Sequence, residues 1–197
     1  MTRTRILNAL IKKNNYKNYL EIGVNNPAYN WIGINAELKH GVDPNVDTTY
    51  RMTSDEFFEN HISQKYDIVF VDGLHLFEQV YKDITNSLDN LNEGGTIVVH
   101  DCNPITEITQ KRVWKPGTWT WHGDVWKSIL KLRLENTNLE IDTVDTDEGC
   151  GIIRKGKQEL LKLEQTYADV YQYDVFDSNR EKILNLISVE EFTKKYL

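Results

Sequence analysis

Apolar positions recur along the 197-residue chain with two different spacings. Ile6, Leu7, Leu10 and Ile11 fall at helical intervals and predict a short amphipathic helix over residues 4–14. Residues 19–24 form a continuous apolar run around Glu21, closed by Gly23 and Val24, which reads as a buried strand. A second strand ends at Val42 and Asp43, and Thr53-Ser54-Asp55-Glu56 before Phe57 carries the Ser/Thr-x-x-Glu pattern of a helix start. Residues 66–72 predict a third strand ending in a carboxylate. Leu76, Val80, Ile84, Leu88 and Leu91 then repeat at helical period. Gly94-Gly95 is expected to turn the chain into a strand over residues 96–101, again acid-ended. Strand, helix and strand joined by short turns make a right-handed βαβ unit, so the sheet is expected to be mainly parallel.

Past Asp101 the pattern loosens. Pro104, Pro116, Gly117 and Gly123 predict a long loop over residues 102–123, and Asp124 is the expected cap of a helix carrying Val125, Ile129 and Leu130. Residues 139–144 and 149–153 read as the final strands, and the tail from about 157 reads as helical. No repeat or linker interrupts the chain, so one domain over residues 1–197 is expected, with a core at about 17–154 and a helical C-terminal extension at 157–197.

Composition narrows the partners. Lys and Arg total 23 against 30 Asp and Glu, a net charge of -7, which argues against a nucleic-acid backbone or an anionic membrane. The two cysteines, Cys102 and Cys150, form no paired framework, and no apolar run has signal-peptide or membrane-spanning length. A cytoplasmic protein is therefore expected. The sequence leaves a homo-oligomer open.

Three predicted strands end in carboxylates, Asp43, Asp72 and Asp101, and in a parallel sheet those ends share one edge, where ligands bind. The competing reading is that each Asp simply caps a turn. Residues 21–27, Glu-Ile-Gly-Val-Asn-Asn-Pro, supply one glycine where a dinucleotide fingerprint needs three, which disfavours a hydride-transferring NAD enzyme. A ligand with a ribose and an ammonium group suits these acids better, with Asp43 toward the ribose hydroxyls and Glu21 toward the amine.

The runs at 19–24, 41–44, 70–75 (Phe-Val-Asp-Gly-Leu-His) and 94–101 (Gly-Gly-Thr-Ile-Val-Val-His-Asp) stand in the order and spacing of a class I S-adenosylmethionine-dependent methyltransferase. Within that superfamily the chain resembles small bacterial members with an Asp-Gly-x-His strand end, similar to metal-assisted O-methyltransferases acting on sugars of macrolide-type products. The resemblance implies an α/β Rossmann-like three-layer sandwich with a mostly parallel seven-stranded sheet and an antiparallel last strand. It places Glu21 and Gly23 by the methionine part of the cofactor, Asp43 at the ribose, Thr53, Ser54 and Asp55 at the adenine, and Asp72 at the sulfonium end. Metal-dependent relatives carry acids at the ends of strands four and five, so Asp72 and Asp101, with Asn103 or His100, become candidate Mg²⁺ ligands. Cys102, a soft thiol in that row, does not suit Mg²⁺.

Methyl transfer to an oxygen requires a base, and His75 is the first candidate, His100 the second. Trp114, Trp119, Trp121 and Trp126 cluster after Asp101, where the indoles of the first three are expected to cover a small-molecule or glycan acceptor; Lys111, Arg112 and Lys115 in the same loop suit an anionic one. Two rivals remain at this point. One is a catalytically degenerate nucleoside- or partner-binding module, favoured by the Asn25-Asn26-Pro27 turn and Cys102; the other is a cation-dependent hydrolase or hydroxylase using the same acids.

Overall fold

Four strand ends lie in one row, and that row organises the molecule. A computed structural model describes residues 1–197. Strands β1 (Asn18–Ile22), β2 (Leu38–Val42), β3 (Tyr66–Val71) and β4 (Leu91–Val99) pair in parallel, with Ile22 opposite both Val42 and Val71, and Val71 opposite Val99. The next residue of each strand, Gly23, Asp43, Asp72 and His100, therefore emerges on a common rim. Two further strands, β5 (Leu139–Val144) and β6 (Cys150–Lys155), form an antiparallel hairpin, and β6 pairs antiparallel with β4. A two-residue strand, β7 (Leu186–Ile187), closes the far edge parallel to β5, giving the order β2-β1-β3-β4-β6-β5-β7. The antiparallel member is thus the last long strand. The order reverses at β1, the switch point at which an open α/β sheet leaves a crevice.

Side chains alternate through the strands into two apolar layers. Val69 and Val71 of β3 face α2 (Ser54–Asn60), α3 (Phe77–Asp89) and α4 (Trp126–Glu135), while Ile68 and Phe70 face α1 (Arg3–Asn14) and α7 (Val189–Tyr196). This is the expected three-layer sandwich, with both sheet faces covered. Helix α1 lies ahead of the core expected from sequence, yet Ile6, Leu7 and Leu10 are fully buried. The tail is likewise more than a helical appendage. Phe176 of α5 (Tyr173–Ser178) and Ile183 of α6 (Arg180–Leu184) complete one layer, while Phe192 of α7 completes the other.

Two local expectations are corrected. The glycine pair does not precede its strand: β4 already begins at Leu91, and Gly94, at φ 73°, kinks it where the pairing with β3 shifts register between Tyr66 and Ile68. Asp124 caps α3 rather than α4. Its buried Oδ1 accepts the Phe77 N–H at 2.7 Å, while Oδ2 meets Arg112 and Lys127 at 3.0 and 3.3 Å. A side chain 47 residues away thus satisfies the first turn of α3, whose own N-cap is Leu76. Asp124→Ala is expected to cost about 2 kcal/mol and to lower Tm by about 4–8 °C, with Asp124→Asn recovering part of the loss. Calorimetric melts of the three proteins check this.

Candidate functional site

The rim opens into a cleft of about 920 Å³ lined by the ends of β1 to β4, the start of α2 and the β5–β6 turn. Asp43, Asp72 and Asp101 all line it, as do Glu21, Gly23, Thr53, Ser54, Asp55, His75 and His100.

The β1 end is built for close approach. Gly23 has φ 86°, and a Cβ there would stand 2.3 Å from the Asp72 carbonyl oxygen and 2.4 Å from Gly73 Cα. Only glycine permits both the dihedral and the contact. Asn25, at φ 48°, donates its N–H to Asp43 Oδ2 at 2.8 Å, and Asn45 N donates to Oδ1 at 2.8 Å. The turn-capping reading of Asp43 is therefore realised, although a carboxylate retains lone pairs for further donors. Residues 25–33 hold only a short 3-10 turn, Trp31–Gly33, in place of a full crossover helix. Glu21, 1% exposed, accepts hydrogen bonds from Tyr19 Oη at 2.5 Å and Asn30 Nδ2 at 3.1 Å. Burial pushes its carboxyl up to about 7.

At the β3 and β4 ends two acids and two imidazoles interlock. Asp101 has φ 59°, a strained setting for a non-glycine residue, which turns Oδ2 to 3.3 Å from His75 Nε2 and 3.2 Å from His100 Nδ1. Asp72 Oδ1 lies 3.5 and 3.4 Å from the same two rings. Burial pushes the Asp72 carboxyl up, but the facing His100 and His75 rings outweigh it and hold it well below the ordinary carboxylate range. Burial pulls the His75 pKa down, while Asp72, Asp101 and the Trp121 carbonyl, 2.9 Å from Nδ1, raise it further, leaving it above the usual value. For His100, burial opposes a charge, but Asp72, Asp101 and Asp147 outweigh it and hold the ring well above the ordinary imidazole value. Arg3 Nη1 lies against the same ring, 2.7 Å from Nε2 and 3.0 Å from Nδ1.

Several expected residues fall elsewhere. Asn103 is buried, with its amide bonded to Asp145 at 3.1 Å and Arg180 at 2.6 Å, so it does not join the acids. Two groups have ligand atoms within 4.8 Å of one another: Asp72, His75 and Asp101, and separately His100, Asp147 and Cys150. Cys102 is also out of reach, its thiol facing the Val99 and His100 carbonyls in the core. Trp121 and Trp119 line the cleft, Trp121 stacked on His75 at 5.0 Å and Trp119 fully exposed. Trp114 does not line it, and Trp126 is a core residue against Phe176. Lys111 pairs with Glu107, and Arg112 with Glu78 and Asp124, so neither offers a free cation to an anionic ligand.

Sequence reading missed Arg3, Asn30, Gln79, Asp147 and Glu148, all in the lining. Each arrives through a tertiary contact that no local motif encodes; Arg3 meets His100 across 97 residues.

No helix is long and apolar enough to cross a membrane. The fold is similar to a candidate caffeoyl-CoA O-methyltransferase from Staphylococcus aureus, with TM-score 0.59 and 19% identity over 78% of this chain and 82% of that one. It is similar also to TomG of Streptomyces achromogenes, an O-methyltransferase of tomaymycin synthesis in complex with SAM (TM-score 0.56, 11% identity, 78% and 79% covered). A third is the SAH-bound methyltransferase PaMTH1 of Podospora anserina (TM-score 0.56, 16% identity, 79% and 78% covered). None of the curated proteins matches the sequence. The family described as "Methyltransferase domain" matches residues 4–102, just over half of the 197 residues, from α1 through the Asp101 rim. The chain belongs to this methyltransferase family.

Proposed function

We propose that the cleft binds S-adenosylmethionine and transfers its methyl group to an oxygen of a small molecule or glycan. The observation that carries this reading is the convergence of Asp43, Asp72 and Asp101 on one cleft at the strand-order reversal. The SAM and SAH complexes among proteins of the same fold support it. Asp43 receives the ribose, Thr53, Ser54 and Asp55 border the adenine, Glu21 and Gly23 meet the methionine part, and Asp72 faces the sulfonium. His75 takes the acceptor proton at Nε2, its Nδ1–H being held by the Trp121 carbonyl. The walls orient the acceptor oxygen in line with the methyl group.

Two carboxylates beside an imidazole also fit a divalent cation, held by Asp72 and Asp101 with His75 alongside. Such an ion would supply Lewis-acid polarisation of the acceptor oxygen. The protein is assigned to the cytoplasm, where Cys102 and Cys150 remain free thiols.

Calorimetry with SAM and SAH, followed by methyl-release assays on a glycan and phenol panel, tests the assignment. Failure of both ligands to bind would overturn it. A second measurement probes Glu21. Its folded pKa is about 7 against an ordinary 4.5, so the apo protein holds the extra proton between those values and Glu21's contribution to stability falls as pH rises through that window. The methionine ammonium pairs only with the carboxylate. SAH affinity is therefore expected to weaken roughly tenfold per pH unit below about 7, with a proton released on binding. Glu21→Gln should abolish both the slope and the proton release.

A further inference from the structure

The carboxylates around the cleft are held in different ways. Asp55 meets Lys82 at 2.7 Å, and Asp72 and Asp101 share His75 and His100. Asp147 lies 4.0 Å from Arg3 Nε and 3.8 Å from His100, while Asp43 is held by two backbone amides. Glu21 sits inside its Tyr19 and Asn30 network.

Glu148 is held by a histidine outside the Asp72–Asp101 cluster. Its Oε2 lies 2.6 Å from Nε2 of His122, a ring that is 1% exposed, and no lysine or arginine reaches it. Nδ1 of His122 is buried without a partner, so a hydrogen there would be unsatisfied; the favoured tautomer carries it on Nε2 and donates to Glu148. No donor meets Oε1.

The backbone fixes this carboxylate as firmly as the histidine does. Asp147, Glu148 and Gly149 have φ of 48°, 64° and 86°, three left-handed residues in succession. The β4 exit holds them there: Asn103 N–H donates to the Glu148 carbonyl at 2.9 Å, and Cys102 N–H donates to the Gly149 carbonyl at 3.0 Å. His122 is also tied to the reacting centre, since its neighbours are Trp121, stacked on His75, and Gly123, where a Cβ would lie 1.7 Å from the His75 carbonyl oxygen.

We propose that Glu148, positioned by His122, binds the methyl acceptor and selects one that carries a protonated amine, against carboxylate- or phosphate-bearing acceptors. This rests on the reading of the cleft as a methyl-transfer site. An anionic acceptor would meet a lining with seven carboxylates and a single guanidinium, whereas an ammonium group gains the Glu148 carboxylate.

The test uses three matched probes, glucosamine, glucose and glucuronate, titrated by NMR into the full-length protein with and without SAH. Glucosamine is expected to bind at least about tenfold more tightly than glucuronate, with glucose between them. Glu148→Gln keeps an acceptor for His122 and should reduce that advantage below about threefold, while Glu148→Lys should invert it. Equal or tighter glucuronate binding, no saturable glucosamine binding, or an undiminished amine preference in Glu148→Gln would each overturn the proposal. If SAH fails to bind while the amine preference and its loss in Glu148→Gln persist, the methyl-transfer reading falls and the Glu148 site stands.

Discussion

His75→Ala is expected to lower turnover by about 10²–10⁴-fold while leaving SAH affinity within about threefold of the parent. The asymmetry follows from where the ring stands. Nε2 faces Asp72 and Asp101, whereas the proposed cofactor contacts Gly23, Asp43 and Thr53 lie at the ends of β1 and β2 and the start of α2. The pH profile carries a second signature. Asp72, Asp101 and the Trp121 carbonyl raise the His75 pKa despite burial, and a base must first lose its own proton. Turnover should therefore rise with pH through a value above the ordinary 6.5, and that limb should flatten in His75→Ala. Steady-state kinetics across pH, with SAH calorimetry on both proteins, makes the comparison. An unaltered kcat would remove His75 from the base role.

The strands and their acid ends were legible because parallel strands buried on both faces must be nearly all apolar, so the carboxylate that closes an apolar run marks where the strand leaves the core. Residues 66–72 and 96–101 show this most clearly, and Asp72 and Asp101 duly meet across two histidines. What stayed hidden depends on distance along the chain. Nothing near Arg3 says that a guanidinium on the opening helix will reach a histidine at the end of β4. Asp147 and Glu148 read as ordinary hairpin-turn residues, and only the pairing of Cys102 and Asn103 with that turn carries them to the cleft. Asp124 looked like the cap of the helix that follows it because capping patterns are local, while its actual partner is the Phe77 N–H. The tryptophans divide for a similar reason. Spacing does not distinguish an indole that packs on Phe176 from one that stacks on a histidine.

Gly23→Ala is expected to weaken SAH binding more than about 100-fold and to lower Tm by about 6–12 °C, corresponding to a cost of about 3 kcal/mol. Two penalties act on the same atom. The φ of 86° is disfavoured for any side chain, and the added Cβ would lie 2.3 Å from the Asp72 carbonyl oxygen, a backbone atom that cannot rotate away. Relief requires the β1 and β3 ends to part, and that seam is where Ile22 and Val71 pair and where Asp72 N–H donates to the Ile22 carbonyl at 2.9 Å. Displacing Asp72 would also loosen its grip on His75 and His100, so the lesion spreads from cofactor to base. Gly94→Ala is the matched control. Its φ of 73° carries the same dihedral strain, but no atom lies within 4 Å of the added Cβ. It should lose stability through the backbone alone and keep SAH affinity. Equal loss of affinity in both variants would show that close packing at the β1–β3 seam is not what shapes the cofactor site.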